Sequence, residues 1–221
     1  IYEQSNRDKN RNNKTKYFHV DVGDGKFISR KFSGLEKIKF IKKKYKNIKI
    51  HVHLMVKSPH LREENGFSYI QEYAKKGSDK IAIHRRAFKN LKELEKAIAQ
   101  IRKNNSEPGY IIETTDIIDQ KLFNELTKYN IKWVVFMGVQ IGFGGQIFDI
   151  NILPKMSVLF NWSKKNNHKI LIEVDGGLNY ENIRLCKNMG AQIFAGWSLI
   201  KDDDKNKISN NLKKINYLLK N

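Results

Sequence analysis

Three short stretches of the sequence each place two ionisable side chains two positions apart. Residues two apart on a β-strand point to the same face, so each stretch would present both groups on one side of a sheet. Imidazole nitrogens and carboxylate oxygens together are suited to binding a divalent metal or to transferring protons. The pairs are His19 and Asp21, His51 and His53, and Glu173 and Asp175.

Each of these residues also has an ordinary structural interpretation. A histidine on a strand commonly forms hydrogen bonds in the core or at its rim and ligates nothing. Repetition on three strands favours a shared site, because buried carboxylates without partners are energetically costly. From the residues alone, a metal site and a set of structural polar groups both stay open.

The elements that would position these groups alternate along the chain. Segments rich in Val, Ile and aromatic residues predict strands at 17–22, 48–56, 80–85, 110–115, 133–139, 169–176 and 191–197. Apolar residues at helical spacing lie between them, as in 67–74 and 91–101, and again in 208–219, while Gly77 and Gly190 stand at expected helix ends. This alternation predicts a parallel sheet, either open and doubly wound or closed as a (β/α)8 TIM barrel, and seven strands favour the barrel.

The front of the chain shows no strand pattern. Residues 1–16 are polar, and the first residue is Ile rather than Met. We predict a single barrel domain over residues 1–221, with 1–16 either a polar N-terminal segment or the remnant of the first helix. In the second case the first strand would lie upstream of the given sequence.

Composition limits the classes of partner that the protein is expected to bind. The chain of 221 residues has 42 Lys and Arg against 23 Asp and Glu, a net charge of +19 that favours anionic ligands. The lysines are dispersed and lack the aromatic interleaving or zinc spacing of nucleic-acid modules, and no apolar run approaches the roughly 18 residues of a membrane span. Cys186 is the single cysteine, which fits a reducing, cytoplasmic compartment. We also expect a homo-oligomer without nucleic-acid or membrane partners.

Glycine clusters follow three of the predicted strands. They are GFGGQ (142–146), DGG (175–177) and AGW (195–197). Loops after the last strands of a barrel commonly bind phosphate through backbone N–H groups, although each cluster could instead form only a tight turn. The predicted substrate and phosphate contacts are Gly142, Gly144, Gly145, Gly176, Gly177, Gly196, Trp197 and Ser198.

Taken together, these motifs resemble the ribulose-phosphate 3-epimerase family, which has a ribulose-phosphate-binding (β/α)8 barrel. The resemblance runs from about Tyr17 to the C-terminus. It rests on HVDVGDGKF (19–27), HLMV (53–56) with Pro59, His84, MGVQIGFGGQIF (137–148) with LPK (153–155), EVDGG (173–177) and GAQIFAGWSLI (190–200).

The resemblance implies that His19, Asp21, His53 and Asp175 hold one divalent metal, which is Zn²⁺, Mn²⁺ or Fe²⁺. It also implies that Asp21 and Asp175 are the two acid/base groups. The implied reaction inverts C3 of a ketose phosphate, most often D-ribulose 5-phosphate to D-xylulose 5-phosphate, by two-base proton transfer through a metal-stabilised enediolate. The residues implied to line the pocket are Met55, His84 and Met137.

The chain departs from the family pattern at several positions. Gly23 stands where the family usually has Met, His51 where it has Asp, and Arg86 where it has an acidic residue. Ile141 replaces a usual Pro, and Trp197 a usual Ser. These changes leave open an epimerase of another ketose phosphate, such as allulose 6-phosphate, or a non-catalytic sugar-phosphate-binding paralogue. A decarboxylase of the orotidine-monophosphate type is disfavoured, since no D-x-K-x-x-D motif occurs around 51–56.

Overall fold

One sheet and its flanking helices form the part of the protein that the computed structural model describes. That part is residues 17–45, 47–201 and 204–220, without the side chains of Ser198, Lys205 and Lys220. The strands are β1 (Tyr17–Asp24), β2 (Lys31–Phe32), β3 (Lys49–Met55), β4 (Lys80–His84), β5 (Glu107–Ile112), β6 (Trp133–Met137), β7 (Leu171–Asp175) and β8 (Ile193–Ala195). The helices are α1 (Leu35–Lys44), α2 (Tyr69–Lys75), α3 (Leu91–Lys103), α4 (Gln120–Lys128), α5 (Ile152–Lys165), α6 (Asn182–Asn188), α7 (Trp197–Ile200) and α8 (Lys205–Lys220).

The strand order in the sheet is β2-β1-β3-β4-β5-β6-β7-β8. All neighbours from β1 to β8 pair in parallel, whereas β2 pairs antiparallel with the end of β1. Parallel strands that follow chain order and are joined by helices form the (β/α)8 TIM-barrel class, and this prediction is confirmed. All seven predicted strands are present. The prediction for residues 1–16 lies outside the described residues.

The sheet curls strongly, and a contact across it demonstrates this. His19 on β1 lies 2.9 Å from Glu173 on β7, although five strand-to-strand steps separate these strands in the sheet order. In a flat sheet, five steps of about 4.8 Å would place them about 24 Å apart. The inward faces of β1 and β7 therefore meet across a common interior.

Side-chain alternation divides each strand between the interior and the helices. On β3, Ile50, Val52 and Leu54 are fully buried in the layer beneath the helices, and His51 and His53 point the other way. A second, smaller apolar cluster occupies the interior. It consists of Ala82, Ile111, Trp133, Val135 and Met137.

Local signals in the sequence account for several helix boundaries. Ser68 and Gln71 form a reciprocal capping box at the start of α2. Gly77 and Gly190 both have φ of +102° directly after the C-caps of α2 and α6, which confirms the predicted helix ends. Among the described helices, none is both long enough and apolar enough to cross a membrane.

Gly109 on β5 provides the space that the Trp133 indole fills. A Cβ built on Gly109 would lie only 2.2 Å from Trp133 Cε3, and Trp133 is fully buried. We expect Gly109→Ala to lower the free energy of unfolding by about 2 kcal/mol or more, because the packed interior must shift. Urea denaturation would measure the loss. Gly144→Ala is the matched control, since no described atom beyond the adjacent residues lies within 4 Å of its added Cβ. Equal losses in both variants would contradict the packing argument.

Candidate metal and acid-base site

Four ionisable side chains from three strands meet at the carboxyl end of the sheet. His19 and Asp21 come from β1, His53 from β3 and Asp175 from β7. The parallel register places Asp21 beside His53. Each residue offers one ligand atom, and all of these atoms lie within 4.8 Å of one another. The structure therefore brings together the complete set of residues predicted to bind the metal.

The distances between these atoms are those of ligands around a common centre. Asp21 Oδ1 lies 3.3 Å from His19 Nε2 and 3.1 Å from His53 Nδ1. Asp175 Oδ2 lies 3.4 Å from each of the same two nitrogens. Neighbouring ligands at about 2.1 Å from a metal are separated by about 3.0 Å in an octahedron and about 3.4 Å in a tetrahedron. The four separations fit this range.

Within the described part of the protein, two buried nitrogens of the site have no hydrogen-bond partner, namely His19 Nε2 and His53 Nδ1. Both face the two carboxylates, and a bound cation would supply the interaction that they lack. Burial alone would lower the pKa of His19, but the attraction of Asp175 raises it well above its ordinary value. Burial opposes ionisation of Asp21, yet the adjacent imidazoles of His19 and His53 lower its pKa far below its usual range. The centre therefore attracts positive charge, and the donor set fits a divalent metal.

Glu173 orients His19 by contacting the ring nitrogen that points away from the candidate metal centre. Its carboxylate contacts His19 Nδ1 at 2.9 Å, His51 Nδ1 at 2.8 Å and the Trp133 indole N–H at 2.9 Å. Burial raises the pKa of Glu173, but the hydrogen bonds from His19 and His51 outweigh burial and lower it to about 2. An ionised carboxylate only accepts hydrogen bonds, so Nδ1 of His19 carries the proton and Nε2 is left to face the centre.

His53 is supported by a longer arrangement. Its Nε2 lies 2.8 Å from Nε2 of His84, and His84 Nδ1 lies 2.7 Å from Glu113 Oε1. Arg86 binds both oxygens of Glu113, at 2.5 and 3.0 Å. Burial lowers the pKa of His84 to about 4. Burial raises the pKa of Glu113, but hydrogen bonds with His84 and Arg86 lower it to about 2.

Sequence reasoning missed Glu113. It directly follows β5, which is the neighbour of the strand that ends at His84. That position at the carboxyl end of a parallel strand was the available signal, because such ends collect at one side of a barrel. No sequence pattern indicated that it would pair with Arg86, which lies in a short 3₁₀ turn after β4.

The predicted pocket-lining residues are all buried. Met55 and Met137 are each 4% exposed, and Met137 belongs to the interior apolar cluster. His84 contacts His53 and also packs its ring against Phe27, with ring centroids 4.9 Å apart. His84 therefore lies behind a candidate metal ligand.

The predicted phosphate-binding glycines lie in loops that follow β6, β7 and β8. Gly142, Gly145, Gly176 and Gly177 all have positive φ, while Gly144 is unconstrained by neighbours. A Cβ on Gly176 would meet Val139 at 2.6 Å, so this turn requires glycine whatever it binds. Gly196 precedes α7, Trp197 is 57% exposed, and the side chain of Ser198 lies outside the described part.

Comparison with known proteins identifies the family to which this sequence belongs. Residues 3–200 match the sequence model of the ribulose-phosphate 3 epimerase family. The ribulose-phosphate 3-epimerase of Bacillus subtilis is 29% identical over 196 residues, covering 86% of this chain and 83% of that protein. The one from Chlamydia muridarum is 30% identical over 185 residues, covering 81% and 74% respectively.

Solved structures support the same fold. The 3-keto-L-gulonate-6-phosphate decarboxylase of Vibrio cholerae aligns with a TM-score of 0.60 at 13% identity, over 90% of this chain and 86% of that one. At this identity the likeness concerns the barrel alone. The family model matches residues 3–200, which is most of the chain, and this match identifies the family as well as the fold. The chain therefore belongs to the ribulose-phosphate 3-epimerase family of isomerases.

Proposed function

We propose that the protein is a metal-dependent epimerase that inverts C3 of a ketose phosphate, with D-ribulose 5-phosphate and D-xylulose 5-phosphate as its substrate pair. The observation that carries the proposal is the convergence of His19, Asp21, His53 and Asp175, whose ligand atoms lie within 4.8 Å of one another. Family membership supports the substrate class, since the similar proteins are ribulose-phosphate 3-epimerases.

Inversion at a carbon beside a carbonyl needs one group to remove a proton and another to return it on the opposite face. We assign these roles to Asp21 and Asp175, whose side chains are 49% and 14% exposed at the same end of the sheet. In each direction of the reaction, one carboxylate accepts the C3 proton and the other, already protonated, donates. A bound divalent cation would polarise the carbonyl and offset the negative charge that develops on its oxygen.

The imidazoles would hold the cation and keep the carboxylates in place. His19 presents Nε2 because its Nδ1 is committed to Glu173, at 2.9 Å. Neither imidazole is assigned a proton-transfer step, since Nε2 of His19 and Nδ1 of His53 face the proposed cation and the other ring nitrogens contact Glu173 and His84. The proton shuttle is therefore assigned to the two carboxylates alone.

Phosphate binding is proposed for the loops after the last three strands. These contain Gly142, Gly144 and Gly145, then Gly176 and Gly177, and finally residues 196–198. They lie at the strand ends that also present Asp175. Backbone N–H groups in glycine-rich loops can approach a phosphate closely, which supports this placement.

An epimerisation assay tests the proposal. Protein loaded with Zn²⁺, Mn²⁺ or Fe²⁺ is expected to interconvert D-ribulose 5-phosphate and D-xylulose 5-phosphate and to exchange the C3 hydrogen with solvent. Turnover of allulose 6-phosphate alone would keep the mechanism and change the substrate. Neither turnover nor exchange with any ketose phosphate would refute the proposal and favour a non-catalytic sugar-phosphate-binding protein.

Metal titration gives a separate prediction. Metal-depleted protein is expected to bind one equivalent of Zn²⁺ in a chelator competition, because four converging ligands define one centre. His19→Ala removes a ligand and should weaken affinity by roughly 100-fold or more. His168→Gln is the matched control, since His168 contacts the Ile131 carbonyl before β6, at the opposite end of the sheet. Equal affinities for both variants would place the metal elsewhere.

A further inference from the structure

The two candidate metal-binding histidines are supported in different ways. A carboxylate, Glu173, contacts Nδ1 of His19 directly. Among the described residues, no carboxylate contacts Nε2 of His53, which instead lies 2.8 Å from Nε2 of His84. The carboxylate of Glu113 stands one step further away, 2.7 Å from Nδ1 of His84. These contacts form a hydrogen-bonded series that runs from the candidate metal centre through His53 and His84 to Glu113.

We propose that Glu113, held by Arg86, is a positioning residue that acts through His84 to fix His53 in the tautomer that offers Nδ1 to the metal. The inference rests on the proposed metal centre and adds to it two residues on neighbouring elements. Glu113 follows β5, and Arg86 lies in the turn that follows β4. Neither residue is among the four converging ligands.

The donors and acceptors from Glu113 through His84 to His53 determine the tautomer of each histidine. The Glu113 carboxylate can only accept, because the Arg86 guanidinium binds both of its oxygens. Nδ1 of His84 must then donate, which leaves Nε2 of a neutral His84 with its lone pair. His53 therefore donates through Nε2, and its Nδ1 is directed toward Asp21 Oδ1, 3.1 Å away. Each nitrogen has a single consistent role.

The rest of the environment keeps His84 neutral and in place. His84 is only 1% exposed, and a second cation beside the Arg86 guanidinium would be repelled and poorly solvated. Phe27 packs on both groups, with its ring 4.9 Å from that of His84 and 4.1 Å from the Arg86 guanidinium carbon. Arg86 stands where the family usually has an acidic residue, and in this protein Glu113, directly after β5, is the carboxylate that contacts His84.

The test compares Glu113→Gln with wild type by two measurements. In metal-free protein, long-range ¹H–¹⁵N spectra should show His84 with its proton on Nδ1 in wild type and a mixture of tautomers in the variant. A neutral amide can both donate and accept, so it no longer selects one tautomer. In chelator competition with Zn²⁺, the variant should bind about 10-fold to 100-fold more weakly.

Glu125→Gln is the matched control. Glu125 also accepts a two-point contact from an arginine, Arg85, so its loss measures the damage from breaking such a pair. Should Glu113→Gln fail to fold, Arg86→Gln is the second variant. The Arg86 side chain is 53% exposed, so replacing it should destabilise the protein less. Arg86→Gln leaves the Glu113 carboxylate in place but less firmly held, so His84 should keep its proton on Nδ1 while Zn²⁺ affinity falls by less than in Glu113→Gln. A Zn²⁺ affinity equal to that of wild type would overturn the role of Arg86.

The outcomes separate this inference from the proposed function. Wild-type protein that binds no Zn²⁺ refutes the proposed centre and with it the inference. Zn²⁺ binding by wild type, together with an unchanged His84 tautomer and unchanged affinity in the Glu113 variant, overturns only the positioning role. An equal loss of affinity in Glu125→Gln would likewise assign the effect to general destabilisation.

Discussion

Asp175→Asn is expected to lower kcat for epimerisation by about 10²-fold to 10⁴-fold, the usual range for losing a positioned acid or base. Asparagine keeps the shape and one oxygen of the side chain but cannot accept a proton at neutral pH. Asp175 lies within the four-residue centre, 3.4 Å from both imidazoles. Asp21→Asn should have an effect of similar size, because each direction of the reaction uses both carboxylates.

Hydrogen exchange distinguishes loss of one proton carrier from collapse of the site. In D₂O, each single variant retains a carboxylate on one face of the substrate. Each is therefore expected to exchange the C3 hydrogen of one epimer into solvent without converting it, and the two variants should act on opposite epimers. NMR of the recovered sugar phosphate measures this exchange, and the Zn²⁺ affinity of each variant reports separately on the metal.

Glu107→Gln is the control for removing a carboxylate. Glu107 opens β5 at the amino end of the sheet and pairs there with Lys80, so epimerisation should be unchanged. If Asp21→Asn and Asp175→Asn both exchange the hydrogen of the same epimer, the two-sided assignment is wrong. Retention of wild-type kcat by either variant would remove that residue from the proton shuttle.

Sequence was most informative where strand periodicity decides geometry. His19 and Asp21 could be placed on one face because side chains alternate along a strand, and Val20 and Val22 between and after them pack in the outer layer as that alternation requires. Parallel strands then bring their carboxyl ends to one side. These two rules predicted that the paired groups would collect at one end of the barrel, and the family resemblance then implied that His19 and Asp175, more than 150 positions apart, share one site.

Features that depend on the packing of particular side chains could not be predicted. Strand β2 has only two residues, too few for any periodic pattern. The contact between His53 and His84 depends on the register of β3 against β4 and on ring orientation, neither of which the sequence specifies. Glu113 and Arg86 are separated by 27 positions, and their pairing follows only once β4 and β5 are adjacent.

Glu173→Ala is expected to destabilise the protein by about 3–5 kcal/mol, the range for removing one partner from a buried charged network. Glu173 is 1% exposed and accepts from two imidazoles and the Trp133 indole. The truncation would leave these donors buried without acceptors, and water has little access to them. Urea denaturation of metal-free protein measures the change without contribution from a bound ion.

Glu107→Ala provides the comparison for Glu173→Ala, since its side chain is 44% exposed and a surface ion pair contributes less than about 1 kcal/mol. Glu173→Gln refines the test, because an amide restores an acceptor but not the charge. It should recover part of the stability, while His19 loses the carboxylate that holds its proton on Nδ1. An unfolding midpoint for Glu173→Ala equal to that of Glu107→Ala would show that the network behind His19 carries no stability.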